Sequence, residues 1–340
     1  MNHSEPLLVL YSRIDAFGDG LLRIPALRAA RTAFPDSRIV YGCSGPSTLE
    51  KLLRRHVDHL VDSFRTHSPL PQILAEFGER GGTSVADFRN LTPQLVGMRA
   101  RLLGSQVDYE ANFPGFALSW PRRKIMPRPE HNAWRYHRMI ERLAGRPLPF
   151  DHRLHVTASA RAEAARLRGA DQRPLVLMTA NGAGDQRLGS EQVARVAGGL
   201  ADSGYRVLHL LTPGDGPSAQ TLVSLEPRIE VVGPRPGLED TALDDLFLAL
   251  GEVADAYIGC DGGMAHLMAT VMTPIVIINR GFKIERWRPL SNFVEIVEAR
   301  TENASGLVRD TPPEIILAAA HRLFAARARD RATGSMVSTA

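Results

Sequence analysis

Ala256-Tyr257-Ile258-Gly259-Cys260-Asp261-Gly262-Gly263-Met264-Ala265-His266-Leu267-Met268-Ala269 reads as an apolar strand that breaks at an acidic residue and two glycines and restarts as a helix. That order of strand, glycine turn and helix is the unit from which parallel α/β sheets are built. The glycines let a ligand approach bare backbone, the first-turn N–H groups lack intrahelical partners, and the helix dipole favours negative charge at that end. The turn is a candidate anion site, of a size suited to a diphosphate. Taken singly, Asp261 reads equally well as an ordinary N-cap, and His266 as a packed or capping histidine.

A second turn of the same kind lies near the N-terminus. Apolar Leu7 to Leu10 runs into Tyr11-Ser12-Arg13-Ile14-Asp15-Ala16-Phe17-Gly18-Asp19-Gly20, and an amphipathic helix pattern follows over Leu21 to Phe34. Ligands of open α/β sheets bind outside the carboxyl ends of the strands, where this loop belongs. It is neither a Gly-x-Gly-x-x-Gly dinucleotide loop nor a Gly-x-x-x-x-Gly-Lys phosphate loop. A carboxylate between glycines at such an edge suits a general base for a substrate hydroxyl, and Asp19 also suits a helix cap.

The chain has 340 residues, 44% hydrophobic and 23% charged, which predicts a globular protein of two domains. Its net charge of +4 suits anionic ligands. Basic residues are scattered, with small clusters such as Lys51-Arg54-Arg55 and Arg122-Arg123-Lys124 and no arginine stripe interleaved with aromatics, so nucleic acid is not an expected partner. Cys43 and Cys260 are too few for a zinc site or a disulfide framework. The absence of a long apolar run and of a signal-peptide pattern leads to an expected cytoplasmic location.

Strand-like runs alternate with helical patterns in both halves: Leu7–Leu10, Arg38–Tyr41 and Thr83–Phe88, then Leu175–Thr179, Arg206–Leu211, Ile229–Val232, Asp255–Gly259 and Pro274–Ile278. Helices are expected over Ser190–Ser203, Asp240–Val253 and Pro313–Ala326. This is an α/β pattern of two Rossmann-like domains facing each other across a cleft. The expected extents are 1–155 and 156–330, with 331–340 as a flexible tail. In the second half, Thr179-Ala180-Asn181-Gly182-Ala183-Gly184-Asp185-Gln186-Arg187-Leu188 offers Gly182 and Gly184 for an anion-binding nest and Arg187 for a charge-assisted contact, or else is a surface loop with a solvated arginine.

In combination these motifs resemble glycosyltransferase family 9, the bacterial heptosyltransferases of lipopolysaccharide core assembly. The resemblance rests on Arg13-Ile14-Asp15-Ala16-Phe17-Gly18-Asp19 with Ile24-Pro25-Ala26-Leu27-Arg28, on Val85-Ala86-Asp87-Phe88-Arg89-Asn90, and on His131 and Arg135 before Leu143-Ala144-Gly145. Thr241-Ala242-Leu243-Asp244-Asp245-Leu246 and Asp261-Gly262-Gly263-Met264-Ala265-His266-Leu267 complete it in order. It implies a GT-B architecture and an inverting, metal-independent transfer, with no cofactor, of a sugar, heptose, from a nucleotide-sugar donor, ADP-heptose. The acceptor is a hydroxyl of a glycan, a lipopolysaccharide core or a small-molecule glycoside. It assigns Asp19 as general base, Arg13, Gly18, Gly20 and Arg89 to the acceptor, and Asn181, Gly182, Arg187, Thr241, Asp261, Gly262, Gly263 and His266 to the donor. A peripheral contact with the inner membrane surface fits that role.

The chain departs from the family pattern in three places. Gln186-Arg187-Leu188-Gly189 replaces a common Lys-x-Trp-Pro, only Asp215 is available as the acidic residue for the donor ribose, and Asp15 stands where a glycine is common. Asp15 either alters the acceptor pocket or is exposed. A non-catalytic sugar-nucleotide-binding protein on the same fold is the alternative function, and an epimerase is disfavoured by the missing dinucleotide loop.

Overall fold

The computed structural model describes residues 5–77, 82–103, 107–113, 116–120, 124–127, 129–182, 186–212, 219–234, 240–281 and 284–337. The chain divides into two compact units, Met1–His152 with Glu285–Trp287, and Arg153–Ile284 with Arg288–Ala340.

The first unit runs β1 (Leu7–Ser12), α1 (Phe17–Ala33), β2 (Arg38–Cys43), α2 (Arg54–Val57), β3 (Ser63–Arg65), α3 (Leu70–Phe77), β4 (Thr83–Asp87), α4 (Pro93–Leu103), β5 (Val107–Phe113), β6 (Phe116–Trp120), β7 (Lys124–Pro127) and α5 (Asn132–Ala144). Its sheet has the order β3-β2-β1-β4-β5-β6-β7. Every residue of β1 is buried, as expected of a central parallel strand covered on both faces, and this explains why it reads as an unbroken apolar run. β2 and β4 flank β1 in parallel register, Leu10 beside Tyr41 and Ala86. α5 starts at His131, whose Nδ1 accepts the Ala133 N–H at 3.2 Å, and stops at left-handed Gly145.

The second unit runs α6 (Ala158–Arg168), β8 (Leu175–Met178), α7 (Ser190–Asp202), β9 (Arg206–Leu210), α8 (Ala219–Leu225), β10 (Glu230–Val232), α9 (Asp240–Val253), β11 (Ala256–Cys260), α10 (Gly263–Ala269), β12 (Ile275–Asn279), α11 (Ile284–Trp287, shared with the first unit), β13 (Val294–Glu298), α12 (Ala299–Glu302) and α13 (Pro313–Val337). Its order is β10-β9-β8-β11-β12-β13, parallel throughout. Val176, Ile258, Val276 and Val297 of the sheet pack with Val193, Val196 and Leu200 of α7 and with Ile316 and Ala320 of α13.

Two sequence expectations change. β6 and β7 pair antiparallel with β5 and with each other, so the first sheet is mixed rather than parallel. α13 continues past Ala326 to Val337, because Arg327 to Val337 contains no proline and its single glycine does not stop the helix.

Candidate functional site

Each sheet reverses its strand order beside its first strand, between β1 and β4 and between β8 and β11. Loops leaving the carboxyl ends of two such neighbours diverge to opposite faces and leave a crevice between them, the usual ligand position in α/β sheets. The loops after β1, β4, β8 and β11 are those that the sequence marks as functional.

In the second unit the loop after β8 is pinned where it leaves and rejoins the described residues. Asn181 and Arg187 form an antiparallel bridge, Gly182 N–H donates to the Gln186 carbonyl at 2.7 Å, and Leu188 N–H to the Ala180 carbonyl at 2.9 Å. Gly182 is pressed against the end of β11. A Cβ there would stand 2.5 Å from Cys260 Cβ and 2.7 Å from the Asp261 carbonyl, so only glycine lets the two turns meet. Gln186 ties them together: its Oε1 accepts the Arg280 N–H at 3.1 Å, and its side chain hydrogen-bonds Asp261. Burial pushes the Asp261 carboxyl up, against the opposing effect of Gln186. Sequence reasoning passed over Gln186, whose only signal was its place between the glycines and Arg187.

Gly262, in extended backbone, is the N-cap of α10, and Asp261 stands one residue ahead of it, so Asp261 is not the cap of this helix. His266 is buried in α10. Arg187 is exposed, and its guanidinium has no hydrogen-bond or ion-pair partner among the described residues. Thr241 falls in the first turn of α9. Gly184 of the expected nest and Asp215 lie outside the described residues.

In the first unit three aspartates gather at the carboxyl edge of β1 and β4, and they differ in how fully they are used. Asp15 is buried; it accepts from Ser12 Oγ at 2.8 Å, Tyr41 OH at 2.6 Å and Ser47 Oγ at 2.7 Å, and it pairs with Arg23. The reading of Asp15 as an exposed residue is therefore overturned: four donors converge on it, which is what a buried carboxylate requires. Asp87, last in β4, takes Arg89 in a fork at 2.7 and 2.6 Å, Arg99 at 2.5 Å and Tyr109 OH at 3.0 Å. Arg89 in turn lies 4.1 Å over the Tyr11 ring. It is a held cation, and with Arg99 it leaves this cluster one positive charge in excess.

Asp19 is different. It sits at the third position of α1, where Oδ2 accepts the Ala16 N–H at 3.3 Å, its only hydrogen bond among the described residues. Ala16 cannot return the bond, so this is half of a capping box. Burial pushes the Asp19 carboxyl up from its ordinary value, against the opposing effect of the Ala16 N–H. A carboxylate with free lone pairs and a raised pKa can accept a proton from a bound hydroxyl.

Arg13 is exposed beside this edge, and Gly18 is half-buried. Gly20 faces inward, where a Cβ would stand 2.8 Å from both Leu53 Cδ1 and Thr48 Oγ1; the structure gives that glycine a packing role. Tyr41, Arg23, Arg99 and Tyr136 were not singled out from sequence, because their partners lie on other elements. Among the described residues, no group of three or more His, Cys, Asp or Glu side chains is placed to hold a metal ion.

No family model matches the sequence, and no curated protein matches it. Solved structures do match. A glycosyltransferase family 9 protein from Veillonella parvula superimposes with a TM-score of 0.63 at 14% identity, over 95% of this chain and 98% of its own. The fold is GT-B. E. coli ADP-heptose lipopolysaccharide heptosyltransferase II has a TM-score of 0.57 at 15% identity, over 95% of this chain and 99% of its own. E. coli heptosyltransferase WaaC, solved with ADP, has 0.59 at 16% identity, over 93% and 99%. GT-B proteins are built of two Rossmann-like units, which is the architecture described above.

Proposed function

We propose that this protein is an inverting glycosyltransferase of heptosyltransferase type, with the second unit holding a nucleotide-sugar donor and the first unit the acceptor. The observation that carries the reading is Asp19, the one of three aspartates at the β1/β4 edge whose oxygens keep unused lone pairs among the described residues; burial raises its pKa, as it also raises that of Asp87. Its carboxylate takes the proton of the acceptor hydroxyl while that oxygen bonds to the anomeric carbon. The bond from that carbon to the diphosphate breaks, and its electron pair leaves with the nucleoside diphosphate. Attack from the face opposite the leaving group inverts the configuration.

The turns locked together by Gly182 and Gln186 support a donor site, because they bring the Gly262-Gly263 backbone and Arg187 to one switch point. Backbone N–H groups and an arginine meet the diphosphate charge without a metal ion. The donor is ADP-heptose by analogy with the heptosyltransferases of similar fold, one of which was solved with ADP. The exposed cation of Arg13 and the excess charge at Arg89 and Arg99 suit an anionic glycan acceptor. Exposed Ile14, Leu95 and Met98 suit an acceptor with an apolar part or a peripheral membrane contact. No described helix is long and apolar enough to cross a membrane.

A thermal-shift screen with ADP-, GDP-, UDP- and dTDP-sugars tests the donor assignment, since a ligand that binds only the folded state raises the melting temperature. ADP-heptose is expected to raise it most, and release of ADP on adding a glycan acceptor would separate an enzyme from a binding protein. No shift with any of the four overturns the donor reading.

A further inference from the structure

Arg23 stands one helical turn after Asp19 on α1, the spacing at which an acidic residue followed by a basic one pairs best. It does not pair that way. Its Nη1 goes to Asp15, and its Nε is buried without a hydrogen-bond partner among the described residues. The buried Tyr136 of α5 borders both groups: it hydrogen-bonds Arg23, whose guanidinium carbon lies 5.4 Å from the ring centre, and it senses the charge of Asp19. Arg23 and Asp19 are thus neighbours across one phenol, and the cation is drawn the other way by a carboxylate that Ser12, Tyr41 and Ser47 hold in place. The remaining titratable and charged groups around them are Arg135 beside Tyr136, and Tyr41 and Cys43 of β2 beside Arg23.

We propose that Asp15 is a positioning residue for Asp19: by keeping the Arg23 guanidinium on its own carboxylate, it prevents that cation from pairing with Asp19. The catalytic meaning of this rests on the reading of Asp19 as the base. The arrangement also gives a reason for an aspartate at this loop position, since a buried arginine on α1 requires a counter-charge other than Asp19.

The test follows the Asp19 carboxyl directly, by carbon-13 NMR titration of the full chain without substrate, together with the acid limb of the transfer rate. In Asp15→Asn the Asp19 midpoint is expected to fall by about 1 pH unit or more, as for a carboxylate that gains an arginine, and the acid limb moves with it. In Asp15→Asn/Arg23→Met both return toward wild type. A merely structural role for Asp15 would lower the melting temperature without moving the midpoint. An unmoved Asp19 midpoint in folded Asp15→Asn overturns the inference. If Asp15→Asn does not fold, Arg23→Met decides: a rise of the Asp19 midpoint by about 1 pH unit or more would mean that Arg23 already served Asp19 in the wild type, which also overturns it. Normal turnover in Asp19→Asn overturns the base reading instead, and the NMR result stands apart from it.

Discussion

Burial alone does not make a carboxylate a base. Asp15 and Asp87 are more deeply buried than Asp19, yet their oxygens are occupied by arginines and hydroxyls, whereas Asp19 spends one oxygen on a long bond to Ala16. Asp19→Asn is expected to lower turnover by about 10²–10⁴-fold while donor affinity and melting temperature change little, since the amide oxygen can still accept the Ala16 N–H. Turnover within a few-fold of wild type would leave Asp19 a helix cap. Arg187 is exposed, so its contribution to donor binding is screened; Arg187→Ala is expected to weaken nucleotide affinity by about 0.5–1 kcal/mol, roughly two- to fivefold. Calorimetry showing no loss removes Arg187 from the diphosphate site.

Two turns become one feature through a missing side chain. The loops after β8 and β11 meet at Gly182, where a methyl group would overlap Cys260 and the Asp261 carbonyl. Neither contact is the far end of a flexible chain, so the turns must separate. Gly182→Ala is expected to cost about 1–3 kcal/mol of stability and to weaken nucleotide binding more than Arg187→Ala does, because the Gln186 link from Asp261 to Arg280 moves with the turn. Unchanged melting and unchanged nucleotide affinity together would refute this coupling. Gly20 gives a contrasting case: it packs α1 on Thr48 and Leu53, and its neighbours are side-chain ends able to shift by small rotations.

For the molecule as a whole, acid sensitivity is expected from His209 of β9, which is fully buried with both ring nitrogens unpartnered among the described residues. Burial pushes its pKa down to about 4 from an ordinary 6.5. The unfolded chain therefore binds the proton first: stability is intact above pH about 6.5, falls as the pH drops toward about 4, and levels off below, a total of about 3 kcal/mol. His209→Leu is expected to match or exceed wild-type stability at pH 7, with its advantage growing on acidification. Denaturation curves that stay parallel between pH 7 and 4.5 would show that His209 does not set this slope. The proposed transfer is also expected to survive EDTA at saturating donor, since in the proposed donor site backbone amides and Arg187 would meet the diphosphate charge. Complete loss with chelator and recovery with Mg²⁺ or Mn²⁺ would overturn the metal-free mechanism.

The sequence by itself determined the α/β class, the paired Rossmann-like units and the places of the turns after β1, β8 and β11, because these depend on local pattern. Apolar runs such as Leu7–Leu10 and Ile275–Ile278 mark strands covered on both faces, and Gly182 after β8 marks a turn that a side chain would obstruct. The antiparallel β6 and β7 were not legible, since an edge hairpin carries too short a pattern to separate from loop. The electrostatics of the site were decided only in three dimensions. Asp15, Asp19 and Asp87 are alike in sequence, and what separates them is whether Tyr41 and Ser47, Ala16, or Arg99 and Tyr109 reach their oxygens. Those partners lie up to 32 residues away along the chain. Hydrogen bonding and desolvation act through space, so only the folded chain determines which carboxylate keeps an unoccupied oxygen.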